Sequence, residues 1–364
     1  MIVSGETVRR SSVYLGTMLD GSWARLLLLP AAAIAMSYRA DNLKLCPVGG
    51  MRYIMDVDTG VDDAMALVGM MSYNKCVEAI TVVTGNTNME NAYDNTLRVL
   101  KAIGQTQIPV YKGADGPIIG RRKPKVVGFD SDNFGNVASK YAIGKNAARD
   151  YTFAPLKLIE LIRESPNQVT LILLAPLTNL AIALLVDPTI TRNVSEIFIL
   201  GGNIEGHGNI RPGSEFNFLV DPEAAQVVLD RVECRVTIVP WEAVLKSTLP
   251  WVMNEIQLFY IRQGKKAKLL KALTNHTISS SFGNGQSPGF ILGDFLAVLA
   301  LVDPASVHER LHHRVAVELT GFHTKGMLVH GWTADMLPHV NRTVDIVDWF
   351  NVRNIEKAFR KTFG

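Results

Sequence analysis

Residues 53–71 read YIMDVDTGVDDAMALVGMM, and this stretch decides the class of fold. The run YIMDVD (53–58) has the length and apolar character of a buried strand, and residues 61–71 form an amphipathic stretch with the length of a helix. Four aspartates lie where the predicted strand gives way to the predicted helix. The stretch therefore predicts a strand, a turn rich in carboxylates and a helix, in that order.

The same alternation continues along the chain. Further strands are predicted at residues 78–85, 170–175, 195–202 and 235–240, with helices between them at residues 89–103, 177–185 and 222–230. Strands that alternate with helices at this spacing predict βαβ units and a mainly parallel sheet. We therefore expect an α/β protein with a Rossmann-like, mainly parallel open sheet flanked by helices, and a ligand site at the carboxyl ends of the strands.

The C-terminal third has a different pattern. Residues 315–321 (VAVELTG) and 326–332 (GMLVHGW) predict a hairpin across Phe322–Lys325, and a closing helix is predicted from Asp348 to Phe363. No internal repeat, low-complexity tract or linker follows residue 52, so residues 52–364 are predicted to form one domain.

The N-terminal residues 1–51 are predicted to be a leader, either disordered or targeting. Residues 26–36 (LLLLPAAAIAM) form an apolar run that is too short to span a bilayer. Such a run could instead be the core of a signal peptide. We therefore expect a cytosolic protein, with secretion through this apolar run as the alternative.

Charge and cysteine content exclude several classes of partner and site. Lys plus Arg total 37 and Asp plus Glu total 34, which gives a formal net charge of +3. That balance indicates neither nucleic acid nor a membrane as partner. Cys46, Cys76 and Cys234 leave one cysteine unpaired and show no C-x-x-C spacing, which argues against a disulfide scaffold and against a zinc site.

The aspartates at the first strand–helix junction predict a cation site. Asp56 and Asp58 share one face of the strand, and Asp62 and Asp63 open the helix. Four converging carboxylates repel one another unless a cation holds them or some are protonated. Ca²⁺ suits this set because it takes roughly six to eight oxygen ligands in flexible geometry. The plainer alternative, a helix N-terminus rich in aspartate, explains Asp62 or Asp63 but not the strand-end pair.

A phosphatase is a second interpretation of the same stretch. An apolar strand that ends in D-x-D also opens the haloacid-dehalogenase-like phosphatases, in which the first Asp is a nucleophile beside Mg²⁺. In that family the fifth motif position is usually Thr or Val, whereas this chain has Gly60. The family also has no need for the pair Asp62 and Asp63.

The rest of the chain resembles the inosine–uridine-preferring nucleoside hydrolase family. The resemblance rests on an ordered series of segments over residues 52–350: DVDTGVDD, VVTGNTNMENAYDNTLRVL, IPVYKGADGP, LLAPLTNLAIAL, GGNIEGHGNIRPGSEFNFLVDPEAA and GDFLAVLALVDP. Each segment alone is a weak signal, but their order and spacing together are specific. The resemblance implies a catalytic domain at residues 52–364 that hydrolyses the N-glycosidic bond of ribonucleosides, in a homo-oligomer of two or four chains.

The resemblance also implies a metal centre and a base. Asp58, Asp63, Asp294 and the backbone carbonyl of Leu174 would bind Ca²⁺. Asp58 would act as general base on a water held by the ion, whose pKa the ion lowers. Asp56 would be a supporting carboxylate that orients its neighbours.

The resemblance further assigns the sugar-binding residues. Asp62 and Asn86 would hold the 2′- and 3′-hydroxyls of the ribose, and Asn209, Glu215 and Asn217 would bind the ribose mainly at its 3′- and 5′-hydroxyls. Such a set is chemically apt, because amides and carboxylates supply the donors and acceptors that three uncharged hydroxyls require.

The leaving-group side departs from the family pattern. Some members carry a His directly before the last metal-binding Asp, where this chain has Gly293, and another His in H-G-x-D-G, where it has Phe129. Departure of the base would then depend on stacking by Trp241, Trp251 or Phe290, or on an acid from another loop. Three hypotheses follow: a Ca²⁺-dependent ribonucleoside hydrolase, which we favour, a non-catalytic nucleoside or ribose binder, and a Mg²⁺ phosphatase with Asp56 as nucleophile.

Overall fold

A computed structural model of the chain describes residues 46–120, 132–143, 149–250, 263–284, 289–333 and 335–364. The described strands are β1 (Arg52–Val57), β2 (Val77–Val82), β3 (Val110–Lys112), β4 (Arg149–Asp150), β5 (Val169–Leu173), β6 (Val194–Leu200), β7 (Arg235–Val239), β8 (Leu249–Pro250), β9 (Gly289–Phe290), β10 (Val307–Val317), β11 (Leu328–Gly331) and β12 (Val344–Phe350). The described helices are α1 (Val61–Ser72), α2 (Met89–Ile103), α3 (Ala154–Glu164), α4 (Thr178–Val186), α5 (Phe216–Val220), α6 (Pro222–Arg231), α7 (Trp241–Lys246), α8 (Lys265–Asn284), α9 (Asp294–Val302) and α10 (Val352–Phe363). The predicted leader lies almost entirely outside these residues.

Ten of the described strands form one sheet in the order β11-β10-β12-β7-β6-β5-β1-β2-β3-β4. The neighbours from β12 to β4 pair in parallel, and β10 pairs antiparallel with both β12 and β11. The prediction of a mainly parallel α/β sheet is confirmed. Strands β2 to β4 extend the sheet on one side of β1, and β5 returns on the other side. The order of strands therefore reverses at β1 and β5, the point at which open α/β sheets bind ligands beyond the strand ends.

Helices cover both faces of the sheet, as the apolar strands predict. Successive side chains of β1 point to opposite faces, so Met55 and Val57 join one apolar core while Ile54 joins the other. The first core is completed by α1, α2, α8, α9 and α10, and the second by α3, α4 and α6. Burial on both faces makes β1 a rigid support for the polar residues that follow it.

In the C-terminal third, the sequence analysis did not predict strand β12. The predicted hairpin is present, since Val317 of β10 pairs with Leu328 of β11. Strand β12 then runs parallel to β7, and its residues include Asp348. The predicted start of the closing helix at Asp348 is therefore wrong. Helix α10 begins only after Asn351, whose side chain accepts a hydrogen bond from the backbone N–H of Arg353.

A disulfide joins Cys46 to Cys76, across 30 positions of the chain. It ties the start of the described part of the chain to the turn between α1 and β2. The sequence argument against a disulfide scaffold did not predict this single bridge, while Cys234 is free as the odd cysteine count requires. Among the described residues, the helices are all too short or too polar to cross a bilayer.

Candidate active site

The turn between β1 and α1 brings Asp58 and Asp63 together. The Asp63 carboxylate accepts hydrogen bonds from the backbone N–H groups of Gly60, at 2.9 Å, and of Asp58, at 3.3 Å. Asp63 thereby satisfies the N–H of the N-cap residue Gly60, which has no partner within the helix, and ties the end of β1 to the helix at Asp58. Asp58 and Asp63 are both fully buried, so their side chains are fixed close to the end of β1.

Helix α9 brings a third carboxylate to this turn. Asp294 is its first residue, and α9 packs closely against α1 at Gly69. A Cβ atom at position 69 would lie 2.8 Å from Cε2 of Phe295, so only glycine permits this approach. Carboxylate oxygens of Asp62, Asp63 and Asp294 consequently lie within 4.8 Å of one another.

The electrostatics of this cluster fit a cation. Burial, together with repulsion from Asp58 and Asp62, holds the pKa of Asp63 well above its usual value. Burial also raises the pKa of Asp294 well above the usual value, and repulsion from Asp62, Asp63 and Asp58 adds to the effect. A divalent cation would relieve both the lost hydration and the repulsion. The donor set is purely oxygen, which is what Ca²⁺ and Mg²⁺ prefer.

The geometry differs in one respect from the predicted ligand set. The convergent carboxylates include Asp62, which was predicted to bind ribose, rather than Asp58. Asp58 lies beside them, since its charge raises the pKa of both Asp63 and Asp294. The structure therefore brings all four of these aspartates to one place.

Asp58 is held from the neighbouring strand by Asn86. The backbone N–H of Asn86 donates to Asp58 Oδ2, and the Asn86 side-chain amide donates to Asp58 Oδ1 at 3.2 Å. A Cβ atom at Gly85 would lie 1.9 Å from Asp58 Oδ2, so glycine is required there. Asn86, predicted from the end of β2, thus lies against the predicted base.

Asp56 lies one layer below these residues and is fully buried. The Thr81 hydroxyl and the Asn179 amide both donate to its Oδ1, the latter at 2.7 Å. Burial raises the pKa of Asp56 to about 7, partly offset by these two hydrogen bonds. A carboxylate so enclosed cannot be reached by a phosphate ester, which argues against its role as a phosphatase nucleophile.

Asn179 is a site residue that the sequence analysis did not single out. Its side chain also donates to the Val82 carbonyl at 3.1 Å and accepts from the Ala114 N–H at 2.9 Å. It therefore links Asp56 to the ends of β2 and β3. The sequence signal that could have pointed to Asn179 is a polar amide within the otherwise apolar segment LLAPLTNLAIAL.

Two of the predicted sugar-binding residues, Glu215 and Asn217, lie around the ends of β5 and β6. Glu215 accepts hydrogen bonds from the N–H groups of Gly202, at 3.0 Å, and Asn217, at 2.9 Å. The Asn217 amide donates to the carbonyls of Leu174, at 3.0 Å, and Leu200, at 3.1 Å. Glu215 and Asn217 are therefore buried next to the predicted carbonyl ligand.

Asn209 differs from these two residues because its side chain is exposed. It lies on the loop between β6 and α5, where its backbone N–H donates to the Ser214 carbonyl at 3.2 Å. Of these three predicted ribose-binding residues, Glu215 and Asn217 are thus buried, whereas Asn209 is exposed on a loop.

The leaving-group side has little room for an acid at position 293. Gly293 has a positive φ of 38°, and a Cβ atom there would lie 2.5 Å from Asp62 Oδ2. Phe290 is buried against Phe359, so it offers no face for stacking. Trp241 is half-buried at the end of β7, and Phe129 and Trp251 lie outside the described residues.

Comparison with known proteins identifies the family of the chain. The family model for inosine-uridine preferring nucleoside hydrolases matches residues 53–357. The chain belongs to this family. The predicted family and the predicted fold class are both confirmed.

Individual relatives share parts of the chain to different extents. A probable uridine nucleosidase from Arabidopsis thaliana is 36% identical over 180 residues, which is 49% of this chain and 55% of that protein. The aligned part thus spans about half the length of that curated relative. A non-specific ribonucleoside hydrolase from Salmonella paratyphi B is 28% identical over 77% of this chain and 87% of its own length. A solved inosine-guanosine nucleoside hydrolase superposes with a TM-score of 0.78 and 29% identity, over 86% of this chain and 98% of that one.

Proposed function

We propose that the chain hydrolyses the N-glycosidic bond of ribonucleosides, giving free base and ribose. The observation that carries the proposal is the cluster of Asp58, Asp63 and Asp294, which are buried, with the half-buried Asp62. The cluster lies beside β1 and β5 and is bordered by Asn86 and Asn217. Cleavage passes through a sugar with positive charge near C1′, which negative charge stabilises. A nucleoside itself is uncharged at its ribose, so a wall of amides and carboxylates suits it.

Asp58 is the proposed general base. In the reaction, a water oxygen forms a bond to C1′, the C1′–N bond breaks, and the base leaves with the bonding electrons. Asp58 takes a proton from the water. The two hydrogen bonds from Asn86 hold the Asp58 carboxylate in a fixed orientation for this step. The departing base acquires a proton from water or from a side chain other than position 293, where a side chain would meet Asp62.

Ca²⁺ is the proposed cofactor, held by Asp58, Asp63, Asp294 and the carbonyl of Leu174. The oxygen-only donor set and the repulsion between the buried carboxylates support a divalent cation. When bound, the ion would lower the pKa of a water molecule in the site and neutralise the carboxylates.

The sugar contacts are proposed as the resemblance assigns them. Asp62 and Asn86 would hold the 2′- and 3′-hydroxyls, while Asn209, Glu215 and Asn217 would bind the ribose at its 3′- and 5′-hydroxyls. The hydrogen bonds that fix Glu215 and Asn217 support this, because a fixed polar group discriminates better than a mobile one. Residues 52–364 are proposed as the catalytic domain of a cytosolic homo-oligomer.

A nucleoside or ribose binder without turnover is the second candidate, and the glycine at position 293 favours it. Release of ribose from a panel of purine and pyrimidine ribonucleosides decides between the two. Turnover that stops in EGTA and returns with Ca²⁺ supports the hydrolase. Saturable nucleoside binding with no ribose released would establish the binder. Hydrolysis of phosphate esters, abolished only by Asp56→Asn, would instead establish the phosphatase.

A further inference from the structure

The loop between β6 and α5, residues 201–215, carries Asn209 and ends at Glu215. Its second half is fastened by Ser214, whose hydroxyl donates to the Lys325 carbonyl at 2.6 Å. Its first half includes residues 204–208, which directly precede Asn209. A loop that presents a binding residue needs such fastening on both sides, because ordering it during binding reduces affinity.

Glu242 fastens the first half from another element. It is the second residue of α7, it is only 1% exposed, and it lies beyond the end of β7. Its Oε1 accepts hydrogen bonds from the N–H groups of Glu205, at 2.8 Å, and His207, at 3.0 Å. Its Oε2 accepts one from the N–H of Ile204, at 2.9 Å. Hydrogen bonds to a carboxylate are roughly twice as strong as neutral ones, so this is a firm attachment.

The local backbone explains why one carboxylate can receive three N–H groups. Gly206 adopts a positive φ of 75°, which turns the chain between Glu205 and His207. The start of α7 is itself placed against the loop, since the Trp241 N–H donates to the Gly202 carbonyl at 3.0 Å. Glu242 therefore approaches the loop from the end of β7, next to the base of the loop at Gly202.

Other side-chain contacts also reach this half of the loop. Asn203 is buried and donates to the Gly213 carbonyl at 3.2 Å, which ties the base of the loop to its far side. His330 Nε2 lies 3.1 Å from the Ile204 carbonyl. Neither contact reaches Glu205 or His207. Lys246 of α7 binds the Glu205 carboxylate at the surface. The backbone N–H groups of residues 204, 205 and 207, in contrast, donate to Glu242.

We propose that Glu242 is a positioning residue, which fixes residues 204–207 and thereby places Asn209 for the substrate ribose. The proposal rests on the proposed function for the role of Asn209. Glu242 contacts neither Asp58 nor the carboxylates of the cation site among the hydrogen bonds of the described residues. It should therefore act on substrate binding and leave the chemical step largely unchanged.

Kinetics of Glu242→Gln test the proposal. The variant keeps the side-chain volume but turns one acceptor into a donor that faces a backbone N–H. We expect KM for ribonucleosides to rise about tenfold while kcat changes by less than about threefold, as loss of substrate binding alone requires. Glu160→Gln is the matched control, because Glu160 lies on α3, away from this loop, and its carboxylate pairs with Lys157 at the surface. A loss confined to kcat in Glu242→Gln would overturn the proposal.

A double-mutant cycle tests whether Glu242 acts through Asn209. If it does, Glu242→Gln combined with Asn209→Ala raises KM no further than Asn209→Ala alone. The variants should also lose the preference for inosine over 5′-deoxyinosine, which a general loss of stability would not change. Fully additive effects on KM would overturn the proposal.

Hydrogen exchange separates failure of this proposal from failure of the proposed function. In Glu242→Gln, the amides of residues 204–207 should exchange at least about tenfold faster, with the peptides around Asp58 and Asp294 unchanged. Glu242→Asp, which keeps the charge on a shorter side chain, supplies the same comparison if Glu242→Gln does not fold. A wild-type protein that releases no ribose would refute the proposed function, and unchanged exchange at residues 204–207 would refute the positioning role.

Discussion

The cation side of the candidate site and the loop that carries Asn209 are built in opposite ways. Asp58, Asp63 and Asp294 project from the ends of buried elements and are themselves almost fully buried. Asn209 is exposed on a loop that depends on contacts from β7, α7 and the C-terminal hairpin. The cation side is therefore fixed by the packed core, whereas the position of Asn209 is fixed by hydrogen bonds to its loop.

This difference indicates where chemistry and selectivity reside. A buried carboxylate cluster creates a strong local field because little water screens it, so its loss should affect the chemical step. Hydrogen bonds between a loop and a ribose contribute about 1–3 kcal/mol each when a partner is left unpaired, so their loss should affect discrimination.

Asp58→Asn should produce the largest loss. The change removes the proposed base and one negative charge, so kcat should fall at least about 10²-fold, the scale of general base catalysis. Circular dichroism should show that the variant is folded. Asp94→Asn, which alters only a surface ion pair with Arg98, is the control and should retain full activity. Near-normal kcat in folded Asp58→Asn protein would remove Asp58 from the mechanism.

Removal of the cation should reduce both activity and stability. Without it, the buried carboxylates around Asp294 repel one another. An ion at ~100 times its Kd stabilises the folded state by about 2.7 kcal/mol. With an unfolding entropy of about 2.1 cal/mol/K per residue over roughly 310 residues, EGTA should lower Tm by about 4 °C. Added Ca²⁺ should restore Tm and turnover together. The control is Asp294→Asn, whose Tm should no longer respond to EGTA, and an unchanged wild-type melting curve would exclude a structural cation here.

The ribose should be the main element of specificity. Asp62 and Asn86 would be left partly unpaired by a 2′-deoxyribose, and a site built for a hydroxyl rejects the analogue that lacks it. We expect kcat/KM for inosine to exceed that for 2′-deoxyinosine at least about tenfold, and Asp62→Ala to remove most of this ratio. Equal hydrolysis of the two nucleosides by the unmutated protein would show that the sugar contacts are misassigned.

The cation side could be predicted from the sequence because its signals are local. The apolar run before Asp56 predicts β1, and the period of the following residues predicts α1, so the four junction aspartates could be placed at a strand end. Asp294 came from the resemblance alone, since nothing local joins it to residues 58–63. Its approach depends on the contact between Gly69 and Phe295, which only the packed helices reveal.

The remaining features could not be predicted because they depend on distant pairs. The bridge between Cys46 and Cys76 requires that two turns meet, and a count of three cysteines does not say which. Strand β12 was read as helix from Asp348 onward because α10 follows it after a single residue. The role of Glu242 has no local sequence signal, since the loop it holds lies some forty positions earlier in the sequence.

Gly293→Ala should give the smallest effect, at the point where the two sides of the site meet. Gly293 has a positive φ of 38°, and a Cβ atom there would lie 2.5 Å from Asp62 Oδ2. The strained backbone should cost about 1–3 kcal/mol of stability. Displacement of the Asp62 carboxylate should also lower kcat/KM for inosine several-fold, while kcat/KM for 2′-deoxyinosine changes less. Gly116→Ala is the matched control, because a Cβ atom there meets nothing within 4 Å. An equal loss for both nucleosides would mean that Asp62 serves the cation rather than the 2′-hydroxyl, and the ribose selectivity would then have to come from Asn86 and the loop that carries Asn209.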